Sequence, residues 1–130
     1  MIVLDTQVLV FDVLEPRRLT RRARDALAQG TESGSLACSD ISLWEIAMLI
    51  AKGRIDPKGD AVAFIEGMLQ SRSVRVLPIT PQVAALAQSA EFAHGDPADR
   101  IIAATALAHR APLVSADARL RKLRSIKVLW

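Results

Sequence analysis

The sequence predicts a three-layer α/β/α fold built around a short, mostly parallel sheet of five strands. Apolar runs of three to five residues alternate along the chain with segments of helical periodicity. Hydrophobic residues make up 51% of the chain and aromatic residues only 4%, so Ala, Leu, Ile and Val must supply most of the core. Strands that helices cover on both faces appear in a sequence as continuous apolar runs, and this pattern is typical of parallel sheets.

A single domain is expected for residues 1–130, because the chain contains no repeat, low-complexity stretch or linker. The first residues lack the charged start and long apolar run of a signal peptide, and no apolar run approaches the length of a membrane span. Cys38 is the only cysteine, so an internal disulfide is impossible and a buried free thiol is expected. These features predict a soluble cytoplasmic protein.

Cap and turn residues mark the ends of the predicted elements. Pro16 can open the first helix and Gly30 can stop it, whereas Ser39 or Ser42 can begin the second helix, which Gly53 ends. The predicted strands cover residues 2–4, 36–38, 74–77, 112–115 and 126–129. The predicted helices cover residues 16–29, 39–51 or 42–51, 60–70, 80–90, 97–109 and 118–124, and residues 31–35 form a predicted loop.

Four acidic residues follow predicted strands or begin predicted helices. Asp5 and Asp117 come directly after strands, and Glu45 and Asp99 lie in the first turns of helices. In parallel α/β folds, ligands bind at the carboxyl ends of the strands, where the strand order reverses. We therefore expect the four acids to face one another. Because clustered carboxylates raise one another's pKa, a divalent cation is the simplest way to keep them charged.

Glu45 and Asp5 also have structural interpretations. Ser42 and Glu45 match a capping box, in which the glutamate bonds back to the cap amide. If the helix begins at Ser39 instead, Glu45 faces inward about one and a half turns later. Asp5 could be a turn or cap residue at the end of its strand.

The other acids fit helix caps as well. Asp96 and Pro97 match an N-cap followed by proline at the first helical position, with Asp99 three residues after the cap. This interpretation uses one aspartate for capping and leaves the other available. Asp117 could cap the following short helix. Each cap is ordinary alone, and their convergence on one sheet edge is the stronger indication of a site.

Other polar residues offer supporting roles. Thr6 and Ser115 each neighbour a candidate acid and could orient it by hydrogen bonding. His94 and His109 have no Cys or His partner at zinc spacing, so His109 is interpreted as a helix-end residue and His94 as a surface or substrate-contacting residue. The sequence has no P-loop, GxGxxG or GxSxG motif, so the readings as a nucleotide-binding protein or a serine hydrolase lack their main support.

Basic residues are concentrated in two segments of a chain with a net charge of +3. The first cluster contains Arg17, Arg18, Arg21, Arg22 and Arg24, and the second contains Arg119, Arg121, Lys122 and Arg124. Arginines beside an acidic centre suit a ligand with a phosphate backbone. The alternatives are a solvated helix face and, for the first cluster, a contact with a protein partner.

With these residues placed, the chain resembles the PIN-domain ribonucleases, and specifically the VapC-type toxins of bacterial toxin–antitoxin systems. The matching segments are MIVLDTQVLV (1–10), SDISLWEIAM (39–48), LPITPQVAALA (77–87), HGDPADRIIAATALAHRAPLVSAD (94–117) and IKVLW (126–130). Gln7 and Ala98 depart from the residues common in close relatives, but neither removes a carboxylate.

The resemblance implies a PIN-like fold, a metal-dependent endoribonuclease activity and a particular site. The metal-binding, catalytic acids of the family fall on Asp5, Glu45, Asp99 and Asp117, with Asp96 as a further acid, and its small hydroxyl falls on Ser115. Oxygen ligands without His or Cys favour Mg²⁺ or Mn²⁺. Because no side chain has the character of a dedicated general base, the expected nucleophile is a water activated by the cation.

The resemblance also implies partners: a VapB-like antitoxin that covers the active site, an RNA substrate and a second copy of the chain in a homodimer. The predicted helix from Asp40 to Ala51 offers Trp44, Met48 and Ile50 as a dock for the antitoxin.

Two other classes of function remain. A phosphatase of the haloacid-dehalogenase type would need D-x-D after the first strand, where Gln7 stands, and a receiver-type phosphoacceptor would need an acidic pair there and an aspartate after the third strand. A catalytically silent PIN module that acts as a binding surface is the other alternative, and the retained acids argue against it.

Overall fold

The computed structural model describes residues 1–92 and 95–130, which form a parallel sheet between two layers of helices. The strands of the described residues are β1 (Ile2–Leu4), β2 (Leu36–Ser39), β3 (Arg75–Leu77), β4 (Leu113–Val114) and β5 (Val128–Leu129). Their order in the sheet is β3-β2-β1-β4-β5, and every neighbouring pair is parallel. Val3 in the central strand lies opposite Ala37 on one side and Leu113 on the other. The predicted α/β/α class with a parallel five-stranded sheet is confirmed.

The helices alternate with these strands, and side chains cap several of their N-termini. The hydroxyls of Thr20 and Thr80 and the carboxylate of Asp60 each accept a hydrogen bond from the backbone amide three residues later. The α-helices are α1 (Thr6–Leu14), α2 (Arg21–Ser33), α3 (Asp40–Ala51), α4 (Ala61–Ser71), α5 (Pro81–Leu86), α6 (Pro97–Ala108) and α7 (Ala118–Arg121), with short 3-10 turns at Pro16–Arg18 and Ala90–Phe92. None of the helices described is long and apolar enough to cross a membrane.

The N-terminal helices differ from the prediction. Helix α1 was not predicted, and Pro16 opens only a 3-10 turn instead of the helix expected over residues 16–29. The helix that follows begins after Thr20 and runs through Gly30 into the segment predicted as the loop 31–35. Gly34, with a φ of 64°, provides the left-handed C-cap that had been assigned to Gly30.

Gly30 has a different role, which is to allow close packing between α2 and β2. A Cβ atom at this position would lie 2.2 Å from Cδ2 and 2.8 Å from Cγ of Leu36. The glycine is therefore required by the approach of the helix to the sheet, and it does not end the helix.

The sheet separates two hydrophobic cores. On one face, Val3, Ala37 and Leu113 pack with Ile102 of α6 and with α5. On the other face, Leu4 and its strand neighbours pack with α1, α2 and α3 in a cluster that includes Leu27, Leu36, Cys38, Ile46 and Val114. Cys38 is fully buried, as predicted, and burial raises the pKa of its thiol to about 12. Burial of each large aliphatic side chain contributes about 1.5–3 kcal/mol, so alternate residues of β1 stabilise both layers.

An ion pair connects the C-terminal end of α4 to α1. The Arg72 guanidinium donates from Nε to Asp12 Oδ2 at 2.5 Å and from the second terminal nitrogen to Asp12 Oδ1 at 2.8 Å. It also donates to Thr31 Oγ1 of α2 at 3.2 Å. This bidentate arrangement fixes α1, whose first residues belong to the candidate site.

Candidate active site

The strand order reverses between β1 and β4, and candidate residues follow both of these strands. Asp5 comes directly after β1, and Ser115 and Asp117 come after β4. The amide of Asp5 donates to the carbonyl of Val114 at 3.0 Å, so the two strand ends are held side by side. A ligand site at this point is the arrangement expected for an open parallel sheet.

Asp5 is the most buried acid of the group, with 3% of its surface exposed. The Ser115 hydroxyl donates to Asp5 Oδ2 at 2.7 Å and accepts a hydrogen bond from the amide of Asp117 at 3.0 Å. Burial raises the pKa of Asp5, the hydrogen bond from Ser115 opposes that rise, and the negative charge of Asp117 adds to it. Ser115 thus lies beside Asp117, as the sequence predicted, and its hydrogen bond to Asp5 is a contact that the sequence did not predict.

Glu45 lies in the second turn of α3, because the helix begins at Asp40. The Ser39 hydroxyl accepts a hydrogen bond from the amide of Ile41 at 3.2 Å and is the N-cap, so the capping box with Ser42 was wrong. The Thr6 hydroxyl donates to Glu45 Oε1 at 2.5 Å and is hydrogen bonded to Ser42 at 2.9 Å. Thr6 therefore orients an acid 39 residues away instead of its neighbour Asp5.

Burial and, to a smaller extent, other acids of the site raise the pKa of Glu45. Burial is the main cause that raises its pKa, and the charges of Asp5 and Asp96 raise it further. The hydrogen bond from Thr6 acts in the opposite direction. Glu45 therefore faces the same region as the acids of β1 and α6.

Of the two aspartates at the start of α6, one caps the helix and the other is available to the site. Asp96 is the N-cap and accepts a hydrogen bond from the amide of Ala98 at 2.8 Å. Asp99, one turn later, is half-buried, and its carboxylate makes no cap hydrogen bond among the described residues. Burial and then the charges of Asp5, Asp117, Asp96 and Glu45 raise the pKa of Asp99 to about 7. The charges of all four other acids thus act on the Asp99 carboxylate, so the five acids lie around a common space.

Asp117 caps α7 while facing the same space. Its Oδ1 accepts a hydrogen bond from the amide of Arg119 at 2.8 Å and lies 3.6 Å from the Nε atom of the same arginine. The cap interpretation of Asp117 is therefore correct, and it does not remove the residue from the site, because one carboxylate oxygen remains free of protein partners among the described residues.

These acids line one cleft of about 400 Å³ at the sheet edge. Its lining consists of Asp5, Thr6, Gln7, Val10, Phe11, Glu15, Arg18, Glu45, Leu49, Arg54, Ile55, Asp96, Asp99, Asp117 and Arg119. Two of the predicted RNA-binding arginines, Arg18 and Arg119, belong to the lining. The other members of the predicted RNA-binding set are exposed elsewhere: Arg17, Arg21, Arg22, Arg121 and Arg124.

Sequence reasoning missed Arg54, which also lines the cleft. The available signal was its position just after Gly53 at the end of the helix that carries Glu45. His109 is the C-cap residue of α6, as predicted. His94 lies outside the described residues.

The chemistry of this lining fits a hard divalent cation. The oxygen ligands that the described lining offers are its carboxylates, the Thr6 hydroxyl and the Gln7 amide, without His or Cys, and burial together with mutual repulsion opposes the ionisation of Asp99. As the side chains stand, no three carboxylates in the described ranges converge closely enough to ligate one ion. Asp96 and Asp117 each use an oxygen for a helix cap, so ligation would require their free oxygens to turn inward.

Comparison with known proteins assigns the family. The model of the PIN domain matches residues 2–126. The chain belongs to the PIN-domain family. A relative, Ribonuclease VapC22 of Mycobacterium tuberculosis, is 37% identical over 124 residues, which cover 95% of this chain and 92% of the relative.

Solved structures agree with the PIN fold. The structure of VapBC2 from Rickettsia felis bound to a DNA fragment from their promoter matches with a TM-score of 0.76 at 17% identity, covering 98% of this chain and 97% of the other. A toxin–antitoxin complex from Klebsiella pneumoniae matches with a TM-score of 0.62 at 21% identity, covering 97% and 95% of the two chains. At these identities the matches establish the fold of this PIN domain.

Proposed function

We propose that this PIN-domain protein is a ribonuclease toxin that cleaves RNA phosphodiester bonds and is neutralised by a cognate antitoxin. The observation that carries the proposal is the convergence of five acids on one cleft at the switch point of the sheet. The relative named as a ribonuclease, at 37% identity over 95% of the chain, supports the reaction. The structural matches to toxin–antitoxin complexes support the partner.

We infer that the activity depends on Mg²⁺ or Mn²⁺, which Asp5, Glu45, Asp99 and Asp117 would hold, with Asp96 as a further ligand. These residues supply hard oxygen ligands. Burial and the charges of the neighbouring acids raise the pKa of Asp99, and a cation would offset that repulsion. When bound, such an ion polarises the phosphodiester and makes a water molecule more acidic.

Residues of the chain perform the remaining tasks. Ser115 and Thr6 hold the carboxylates of Asp5 and Glu45 in fixed orientations through their hydroxyls. The burial of Asp5 limits the access of bulk water to this carboxylate. Arg119, at the rim beside Asp117, provides a positive charge for the phosphate group that enters the cleft.

Residues 1–130 act as one PIN domain in this proposal, and the antitoxin docks beside the acids. Trp44 on α3 is 60% exposed and borders an apolar groove next to the cleft. The groove is lined by Ile41, Trp44, Glu45, Met48, Lys52, Asp96, Pro97, Ala98 and Ile101. Ile50, which the sequence offered for the same dock, instead packs against the core. An antitoxin segment on Trp44 and Met48 would reach Glu45 and block the cleft, and a homodimer is also proposed.

The decisive test is cleavage of total cellular RNA with the fragment ends mapped. The wild-type protein should cleave RNA when Mg²⁺ or Mn²⁺ is added and lose activity with a chelator. Asp5→Asn should lower cleavage by at least ~100-fold, because it removes a charge that positions the cation. Folded Asp5→Asn protein with near-wild-type activity would contradict the assignment and would favour a site elsewhere. A wild-type protein that binds RNA without cleaving it would favour the silent PIN module.

A further inference from the structure

The cleft that holds the acids continues beyond them along two helices. On α3 the lining passes from Glu45 to Leu49, four residues later on the same face, and then to Arg54 past the helix end. On α1 it passes from Gln7 to Phe11 in the same way. With a rise of about 1.5 Å per residue, the cleft extends on the order of 10 Å from the acids toward Arg54. The space is therefore longer than a single phosphate group requires.

Arg54 lies at the far end of this cleft on a fixed backbone. The amides of Arg54 and Ile55 both donate to the carbonyl of Leu49, at 2.9 and 3.3 Å. Gly53 turns the chain with a φ of 72°, and the side chain of Ile55 is buried. The guanidinium of Arg54 has no hydrogen bond or ion pair with any other residue in the described part of the chain. A cation thus faces the cleft without a carboxylate to neutralise it.

Arg18 presents a second guanidinium in the lining of the same cleft. Its central carbon lies 4.1 Å from the centre of the Phe11 ring, and the ring itself is buried, so the guanidinium rests on a rigid support. The side chain is 57% exposed, and its contact with Glu15 is a 3.8 Å pair between exposed groups, which contributes little. The outer face of the guanidinium remains available to a ligand.

The two arginines complement the acids electrostatically. Five acids at one end of the cleft repel a phosphate backbone, so a bound nucleic acid needs positive charge elsewhere along its path. A guanidinium binds a phosphate through two parallel hydrogen bonds, and its plane also stacks on nucleobases. In single-stranded RNA, unpaired bases stack on aromatic side chains and on guanidinium planes of this kind.

We propose that Arg54 and Arg18 form a subsite for the nucleotides beside the scissile bond, where Arg54 binds a flanking phosphate and Arg18, seated on Phe11, stacks on an unpaired base. This inference rests on the proposed ribonuclease function. RNA that is single-stranded next to the cleaved bond suits this subsite best, because a paired base must first be unpaired and unstacked before it can reach Arg18.

The test measures binding of a labelled, mixed-sequence single-stranded RNA of about 12 nucleotides, in the range of known single-strand sites. Arg54→Gln, Arg18→Gln and the control Lys58→Gln are each made in the Asp5→Asn background. Lys58 is exposed in the loop after α3 and lies outside the cleft lining. The substitution Lys58→Gln removes one positive charge, as the two arginine substitutions do. A second probe carries the same backbone with its bases removed. Circular dichroism verifies that each variant is folded.

Arg54→Gln should weaken binding of both probes about 5–10-fold and reduce the slope of log K against log salt by about 0.7, the value for one phosphate contact on a single strand. Arg18→Gln should weaken binding of the complete RNA by about 5-fold and have much less effect on the base-free strand, because stacking is lost. In the background with Asp5 intact, both substitutions should lower kcat/KM for cleavage by similar factors, and Lys58→Gln should have no effect.

Two outcomes would overturn the subsite and leave the ribonuclease function standing. The first is binding and cleavage by the arginine variants equal to those of Lys58→Gln. The second is unchanged RNA binding with weaker neutralisation by the antitoxin, which would assign these arginines to the protein interface. Failure of the wild-type protein to cleave RNA at all would instead overturn the proposed function together with the subsite.

Discussion

Removing the charge of Asp99 should stabilise the protein in the absence of divalent cations, and the effect should depend on pH. Burial and four neighbouring acids raise the pKa of this carboxyl from 3.8 to about 7 in the folded state. Between these pH values Asp99 binds more protons in the folded state than in the unfolded state. The contribution of Asp99 to the free energy of unfolding therefore falls as the pH rises from about 4 to about 7, and at higher pH it stays constant. Asn carries no charge at any pH and avoids this loss.

The size of the effect follows from the shift. About three pKa units at 1.36 kcal/mol each would give about 4 kcal/mol as an upper limit. Since Asp99 is only half-buried, solvent screening reduces this to about 1–2 kcal/mol. For a chain of this length, Asp99→Asn should then raise Tm by roughly 3–8 °C at pH 8 in a chelator and leave it nearly unchanged at pH 4.

Calorimetric melts of both proteins with EDTA at pH 4, 6 and 8 measure this difference. Asp25→Asn, an exposed position on α2, is the matched control and should show no pH-dependent gain. Mg²⁺ should raise the Tm of the wild type more than that of Asp99→Asn, because the variant has lost a ligand and the repulsion that the ion relieves. Equal stability of wild type and Asp99→Asn at pH 8, or the same gain at pH 4, would refute the argument that the acids repel one another around Asp99.

Three further substitutions test other parts of the structure. Ser115→Ala should lower RNA cleavage about 10-fold because the hydrogen bond to Asp5 is lost, and unchanged kcat/KM would show that this bond does not position the acid. Asp12→Ala should destabilise the fold by about 1–3 kcal/mol in urea titrations, since it leaves the half-buried Arg72 guanidinium without its partner, and a smaller loss would indicate that the pair is replaced by water. Gly30→Ala should cost about 1–3 kcal/mol through collision with Leu36, whereas a neutral effect would mean that α2 can shift away from the sheet.

The parts of the fold that the sequence predicted have strong local signals. Strand β1 and the first three residues of β2 are uninterrupted apolar runs, and helices α4 and α6 directly follow Asp60 and Asp96, whose side chains cap them. Helix α1 had no such signal, because TQVLVFDVL is apolar on nearly every side and lacks a capping side-chain bond. A short buried helix of this kind cannot be distinguished from a strand by periodicity.

The sequence predicted which residues belong to the candidate site, but only some of the contacts between them. Asp5, Asp99 and Asp117 occupy the ends of strands and helices, where topology alone brings them together. The hydrogen bond from Thr6 to Glu45 spans 39 residues and depends on how α1 packs against α3, which no local pattern encodes. The position of Arg54 in the cleft depends on the same packing.

The hydrogen bond between Ser115 and Asp5 joins residues 110 positions apart, so the two ends of the chain meet in the site. Strand β4 lies between β1 and β5 and supplies Ser115 and, just beyond it, Asp117. During synthesis, the first four-fifths of the chain can form β1, β2 and β3, but the cleft still lacks one of its walls. The cleft is therefore complete only after the residues up to Asp117 have emerged from the ribosome. Truncated products that end before Ser115 would keep the hydrogen bond from Thr6 to Glu45 but would lack the hydroxyl that orients Asp5, so only chains that extend past Asp117 would need to be neutralised.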